Sequence, residues 1–181
     1  MNKIKRLYLA LYHFRIKVVR FISNDKYKKI SPKYFEKLGV VFNGKPKYIN
    51  YDVNFDLTKP NMIYVGAGTV ITKGCIILTH DYSIECGLVS IKKNNVDYES
   101  QFLREVHIGE NVFVGYNSII LPGSIIEDNV IIGAGSVVRG KLEKNSIYIG
   151  NPAKKIDDIY EWSEKNYRNK YYVRGTKNKN I

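Results

Sequence analysis

Several things are scarce in this 181-residue chain, and each scarcity narrows the field. Its two cysteines, Cys75 and Cys86, lie too close together to frame a disulfide scaffold. With no C-x-x-C pair, they offer no zinc or thiol-redox motif either, and a reducing, intracellular setting is favoured. Five prolines and 14 scattered glycines exclude a low-complexity linker protein. Long apolar runs are also missing. Arg6, Arg15, Lys17 and Arg20 interrupt the first 22 residues, and no small-residue cleavage site follows, so neither a secretion signal nor a membrane span is expected. Acid is scarce at the start of the chain, where residues 1–47 carry 13 Lys/Arg against 2 Asp/Glu. The middle, residues 48–153, carries 8 against 11, so the net charge of +12 belongs to the termini. A nucleic-acid-binding protein would hold its basic stripe on the folded body, and this distribution argues against one.

The first segment has helical periodicity. Ile4, Leu7, Tyr8, Leu11, Phe14, Val18, Phe21 and Ile22 recur at 3.6-residue spacing, with Lys3, Arg6, Lys17 and Arg20 largely off that stripe. Such a basic amphipathic helix either packs its stripe on the body of the protein or lies on an anionic membrane surface. A Lys/Tyr-rich connection containing Ser31-Pro32 follows. The alternation from Tyr51 to Leu57 then predicts a first strand, ended by Pro60-Asn61.

From Val65 the pattern changes. Val65, Ile71 and Ile77, then Ile108, Val114, Ile120, Ile126, Ile132 and Val138, recur every six residues. A fixed short period means a solenoid, in which each hexad gives one short strand and a turn and three hexads close a triangular coil. Three residues after these aliphatics come Gly68, Gly74, Asn111, Asn117, Gly123, Asn129 and Gly135, the residue types that accept left-handed backbone at a tight corner. The expected organisation is a basic helical extension over 1–47, a β-helix over 48–154 and a C-terminal helix with a basic tail over 155–181. Within the β-helix an excursion runs over 81–106. The run Ile159, Trp162, Ser163 and Tyr167 marks the C-terminal helix, and Tyr171 to Ile181 the tail.

The register breaks between Ile77 and Ile108, where a polar segment leaves the coil. Long loops on a rigid scaffold tend to carry function. The corner slot before this break holds His80 instead of Gly or Asn. Imidazole titrates near neutral pH and can take a proton from a weak nucleophile, although histidine also tolerates such corners.

The string ILTHDYSI at Ile77 to Ile84, with PNMIYVGAGTVITKGCIILTHD over 60–81, resembles the active-site segment of hexapeptide-repeat sugar O-acetyltransferases. The resemblance covers about residues 38 to 156. It implies an all-β fold, a left-handed parallel β-helix flanked by the N-terminal amphipathic helix and a short C-terminal helix. It also implies acetyl transfer from acetyl-CoA to a sugar hydroxyl, as in surface or capsular polysaccharide synthesis, with His80 as general base. Asp81, Glu85 or His107 could orient or assist that ring. The segment from Val106 to Ile156, ending in GNPAKKI, resembles the coenzyme A half of maltose and galactoside acetyltransferases. By matching positions Tyr116, Ala134 and Arg139 would line the donor groove and Lys154 would meet a coenzyme phosphate, with Lys141 and Lys155 as helpers. Phe113 stands where the family often has Trp, and Arg139-Gly140 replaces its usual Thr-Lys.

The family implies a homotrimer with active sites between subunits, acting on a sugar or glycan, and the cysteine, histidine and charge patterns add the expectation of a cytoplasmic protein without metal or nucleic acid. The N-terminal helix leaves peripheral contact with the inner membrane face open. Three alternatives carry different chemistry: N-acetylation of an amino sugar, a γ-carbonic-anhydrase-like metalloenzyme, and a non-catalytic scaffold. The metalloenzyme needs three histidines per metal, and the repeat region offers only His80 and His107.

Overall fold

The six-residue period becomes a coil with three flat faces, because each hexad supplies a short strand and a corner. The computed structural model describes residues 3–168. Two helices, α1 (Lys3–Ile22) and α2 (Asn24–Leu38), precede the coil. The first turn holds β1 (Val40–Asn43), β2 (Tyr48–Ile49) and β3 (Asn54–Phe55), and the second β4 (Ile63–Gly66), β5 (Val70–Ile71) and β6 (Ile76–Ile77). The chain leaves through β7 (His80–Asp81), forms α3 (Ser83–Ser90) and returns through β8 (Phe102–Leu103). The third turn is β9 (Val106–Ile108), β10 (Phe113–Val114) and β11 (Ile119–Ile120), and the fourth β12 (Ile125–Ile126), β13 (Ile131–Ile132) and β14 (Val137–Val138). The last holds β15 (Lys141–Leu142) and β16 (Ser146–Ile149), before β17 (Lys154–Asp158) and α4 (Ile159–Arg168).

Parallel pairing stacks β1-β4-β9-β12-β15 on one face, β2-β5-β10-β13-β16 on a second and β3-β6-β11-β14 on the third. The result is a left-handed parallel β-helix. Among the described residues β17, which runs antiparallel to β16, ends the ladder differently.

Register puts like on like. Val65, Ile108 and Ile126 stack on the first face, Ile71, Val114 and Ile132 on the second, and Ile77, Ile120 and Val138 on the third. All nine side chains are buried. Burying each is worth about 1.5–3 kcal/mol. The seven corner residues expected to adopt left-handed backbone all do so, with φ between 52° at Asn111 and 81° at Gly123. Along one edge the corner asparagines also bond to each other, Asn111 to Asn129 and Asn129 to Asn145, each at 2.9 Å.

Two expectations are corrected and one open choice is narrowed. The Lys/Tyr-rich connection is helix α2, although Pro32 lies inside it and proline disfavours the helical conformation before it. Tertiary packing wins, because Tyr27, Ser31, Pro32 and Phe35 form one buried stripe, and the Tyr27 and Ser31 hydroxyls both donate to the Ile49 carbonyl, at 2.9 and 2.8 Å. The strand expected from Tyr51 to Leu57 is only Asn54–Phe55, because a turn occupies Tyr51 and Asp52. The apolar stripe of the first helix does not face the body: Leu9 and Ile16 pack inward, while Leu7, Leu11, Phe14, Phe21 and Ile22 face solvent. The side chains of Ile4 and Arg6, and the tail from Tyr171 to Ile181, lie outside what the structure describes.

Candidate active site

His80 does not sit at a left-handed corner. Its backbone is the first residue of β7, which pairs antiparallel with β8, His80 opposite Leu103. The Arg104 N–H donates to the Thr79 carbonyl at 2.8 Å and closes the neck of the excursion. The histidine therefore marks where the coil opens, and sequence spacing read that departure as a corner.

Its ring is held from the preceding turn. Strand β3 runs parallel to β6, and the Asp56 N–H extends the ladder by donating to Ile77 O at 2.8 Å. This puts the Asp56 carboxylate under Thr79 and His80. Asp56 Oδ2 lies 2.5 Å from His80 Nδ1 and accepts from Thr79 N (2.8 Å), Thr79 Oγ1 (2.7 Å) and His80 N (3.0 Å). Asp56 Oδ1 accepts from the Thr58 N–H (3.1 Å) and hydroxyl (2.7 Å). The Asp56 side chain is only 6% exposed and that of His80 29%. Burial on its own would raise the Asp56 pKa, yet the hydrogen bonds from Thr79 and Thr58 outweigh it and hold the carboxyl well below the usual carboxylate range. An ionised Asp56 accepts the Nδ1 proton, which in a neutral imidazole leaves Nε2 with its lone pair. Tyr82 packs edge-on against the ring, its centroid 5.6 Å away.

Asp56 is the partner that the sequence did not reveal. Asp81, Glu85 and His107 are engaged elsewhere. Asp81 Oδ1 accepts from the Ser83 N–H at 2.8 Å at the start of α3, and Ser83 holds its carboxyl below the usual range, with smaller electrostatic help from Arg139 and His80. Glu85 accepts from the Ser100 N–H at 2.7 Å and ties α3 to the segment leading into β8. His107 lies outward on the first face, stacked on Tyr64 at 4.6 Å and 3.0 Å from Glu105. It borders a cleft of about 570 Å³ lined also by Glu110, Asp128 and Lys144, which His80 does not line. His13 packs between Tyr34 and Tyr51, and burial, reinforced by Lys17, lowers its pKa. Burial likewise pushes the Cys75 thiol up, away from nucleophilic use.

The expected donor residues divide into two places. Tyr116 and Ala134 occupy the same corner of consecutive turns, where the Gly135 N–H donates to Tyr116 O at 2.7 Å. Gly115 permits that approach, since a Cβ there would stand 2.5 Å from Ala134 N. Arg139 follows β14 on the third face, the face whose upper strand β6 leads to His80, and it acts electrostatically on Asp81. Lys154 lies exposed in β17 opposite Ile149, and the preceding turn docks on β14 through the Ala153 N–H to Val137 O, 2.8 Å. Lys141 is bound to Glu127 at 2.6 Å and Lys155 is exposed beside Tyr148.

Residues 105–140 match the bacterial transferase hexapeptide family, described as six repeats. Protein CapG of Staphylococcus aureus is 36% identical over 170 residues, 94% of this chain and 87% of its own length. A putative lipopolysaccharide biosynthesis O-acetyl transferase, WbbJ of Escherichia coli K12, is 31% identical over 120 residues. That match takes in 65% of this chain and 60% of WbbJ. Among solved structures, a galactoside acetyltransferase in complex with coenzyme A superposes with a TM-score of 0.54 at 19% identity, covering 92% of this chain and 87% of that one.

Proposed function

This chain belongs to the bacterial hexapeptide-repeat transferase family, and on that premise we propose that it moves the acetyl group of acetyl-CoA to a sugar hydroxyl in surface polysaccharide synthesis. The observation that carries the chemistry is the Asp56–His80 pair. A sugar hydroxyl is a weak nucleophile at neutral pH and needs a positioned base. His80 Nε2 takes the hydroxyl proton as the oxygen attacks the carbonyl carbon, and Asp56 stabilises the imidazolium that forms. The same proton then goes to the departing sulfur, so the ring ends as it began. The donor thioester supplies an activated acyl group and a good leaving group. Tyr116, Ala134 and Arg139 bound its groove, while Lys154 meets a coenzyme phosphate.

The His80 side chain is 29% exposed on one chain. That supports a homotrimer in which a neighbouring subunit completes each site, working in the cytoplasm where acetyl-CoA is made. His80→Ala and His80→Asn are expected to lower kcat by about 10²- to 10⁴-fold while the fold persists. Mass spectrometry after incubation with acetyl-CoA and a glycan panel reads the product, and mild alkali separates labile O-acetyl esters from stable N-acetyl amides. Near-wild-type turnover by either variant would remove His80 from the mechanism.

A further inference from the structure

Helix α1 is apolar on two opposite sides, and the body of the protein accounts for only one of them. Leu9 and Ile16 are buried beneath it, and Tyr12 stacks on Tyr34 at 5.7 Å. Counting 3.6 residues per turn from Ile16, the residues Leu7, Leu11, Phe14, Val18, Phe21 and Ile22 fall about 140° to 240° away around the axis. They face outward, with Phe14 66% and Phe21 87% exposed. The stripe runs most of the length of a helix of 20 residues. A monomeric soluble surface rarely shows a contiguous apolar band of this kind without a partner.

Charge identifies what covers it. The helix carries Lys3, Lys5, Arg6, Arg15, Lys17 and Arg20 and no acidic residue. Lys17 and Arg15 fall to either side of the stripe on the same count. A second copy of this helix would bring the same charge to the contact. So would residues 169–181, which hold four Lys/Arg and no Asp/Glu. An anionic lipid surface brings the opposite charge together with an apolar phase at the right depth. No helix among the described residues is long and apolar enough to cross a membrane. We propose that α1 lies in the plane of an anionic bilayer, with Phe14 and Phe21 among the acyl chains and the β-helix held against the headgroups. The proposal does not depend on the acyl-transfer reading.

The test is flotation of the full chain with phosphatidylcholine vesicles and with mixed phosphatidylcholine and phosphatidylglycerol vesicles. The chain is expected to float with the mixed vesicles, weakly with phosphatidylcholine alone, and less at high salt. Phe14→Ser combined with Phe21→Ser is expected to cut the bound fraction about tenfold or more, with acetyl transfer and mass by light scattering unchanged. Three results would overturn it: no flotation with the mixed vesicles, undiminished flotation of the double variant, or a change of assembly state in that variant, which would put a second copy on this face. Acetyl-transfer activity measured on the same preparations reports separately on the His80 mechanism.

Discussion

Replacing Asp56 by Asn is the most incisive single change, because it keeps the shape of the side chain and removes its charge. Asp56 Oδ2 faces four donors and Oδ1 faces two. An asparagine would therefore turn its amide nitrogen toward Thr58, whose hydroxyl can rotate to accept from it so that only the bond from the Thr58 N–H is lost, and keep its carbonyl oxygen under His80. The ring stays in place. What disappears is the ion that steadies the imidazolium. For unit charges centred about 4 Å apart an effective dielectric of about 20 gives about 4 kcal/mol. Solvent reaches the partly exposed ring and the amide oxygen still accepts its proton, so about 2–3 kcal/mol of that attraction is lost in the transition state. This corresponds to about 30- to 150-fold in kcat. Steady-state kinetics with acetyl-CoA and the acceptor is the assay, with the expected fall confined to kcat and the KM for acetyl-CoA unchanged. A folded Asp56→Asn variant turning over within threefold of wild type, or one altered only in KM, would refute the reasoning.

The same carboxylate makes the fold acid-sensitive. Its folded pKa is depressed below the ordinary 3.8, so its stabilising contribution is complete above that value and is lost as pH falls below it. Denaturant titrations are expected to show wild type ahead of Asp56→Asn at pH 7, with the gap narrowing below about pH 3.8. Gly115→Ala places a Cβ 2.5 Å from Ala134 N and 2.7 Å from Ile132 O, backbone atoms that cannot swing aside. It is expected to cost about 1–3 kcal/mol in denaturation and to raise the KM for acetyl-CoA. Ile120→Ala empties a fully buried position between Ile77 and Val138. A loss of about 2–5 kcal/mol, read by chemical denaturation, is expected there with KM values unchanged.

How much of this was legible depended on whether a constraint was local. The nine core aliphatics and the left-handed corners could be read because each turn repeats the same physical demand every six residues. The first turn was read only as a single strand from Tyr51 to Leu57, and its register was missed for a specific reason. Its inward residues are Phe42, Ile49 and Phe55, paired with Val65, Ile71 and Ile77, so the spacing is seven and then six and two of the three are aromatic. The last turn is similarly disguised, since Leu142 follows Val138 after four residues and Tyr148 takes the next place. Asp56 stayed hidden because it belongs to that turn, whose register against the next was not read. Once β3 is set beside β6, the residue after Phe55 must lie under the residues after Ile77, and that register was the signal available. Helix α2 was masked by Pro32, whose local preference yielded to the burial of Tyr27 and Phe35.

The hairpin β7–β8 pins both ends of the excursion at one corner, which separates the length of that segment from the geometry of the coil. Residues 82–101 enter and leave through neighbouring rungs, so inserting or deleting chain there shifts no strand above or below it. Doubling such a loop costs only about 0.6 kcal/mol of closure entropy. Drift or selection can therefore rewrite the segment beside His80 wholesale while the core stacks and the Asp56 contact stay as they are. One scaffold can in this way be fitted to a succession of acceptors without being rebuilt.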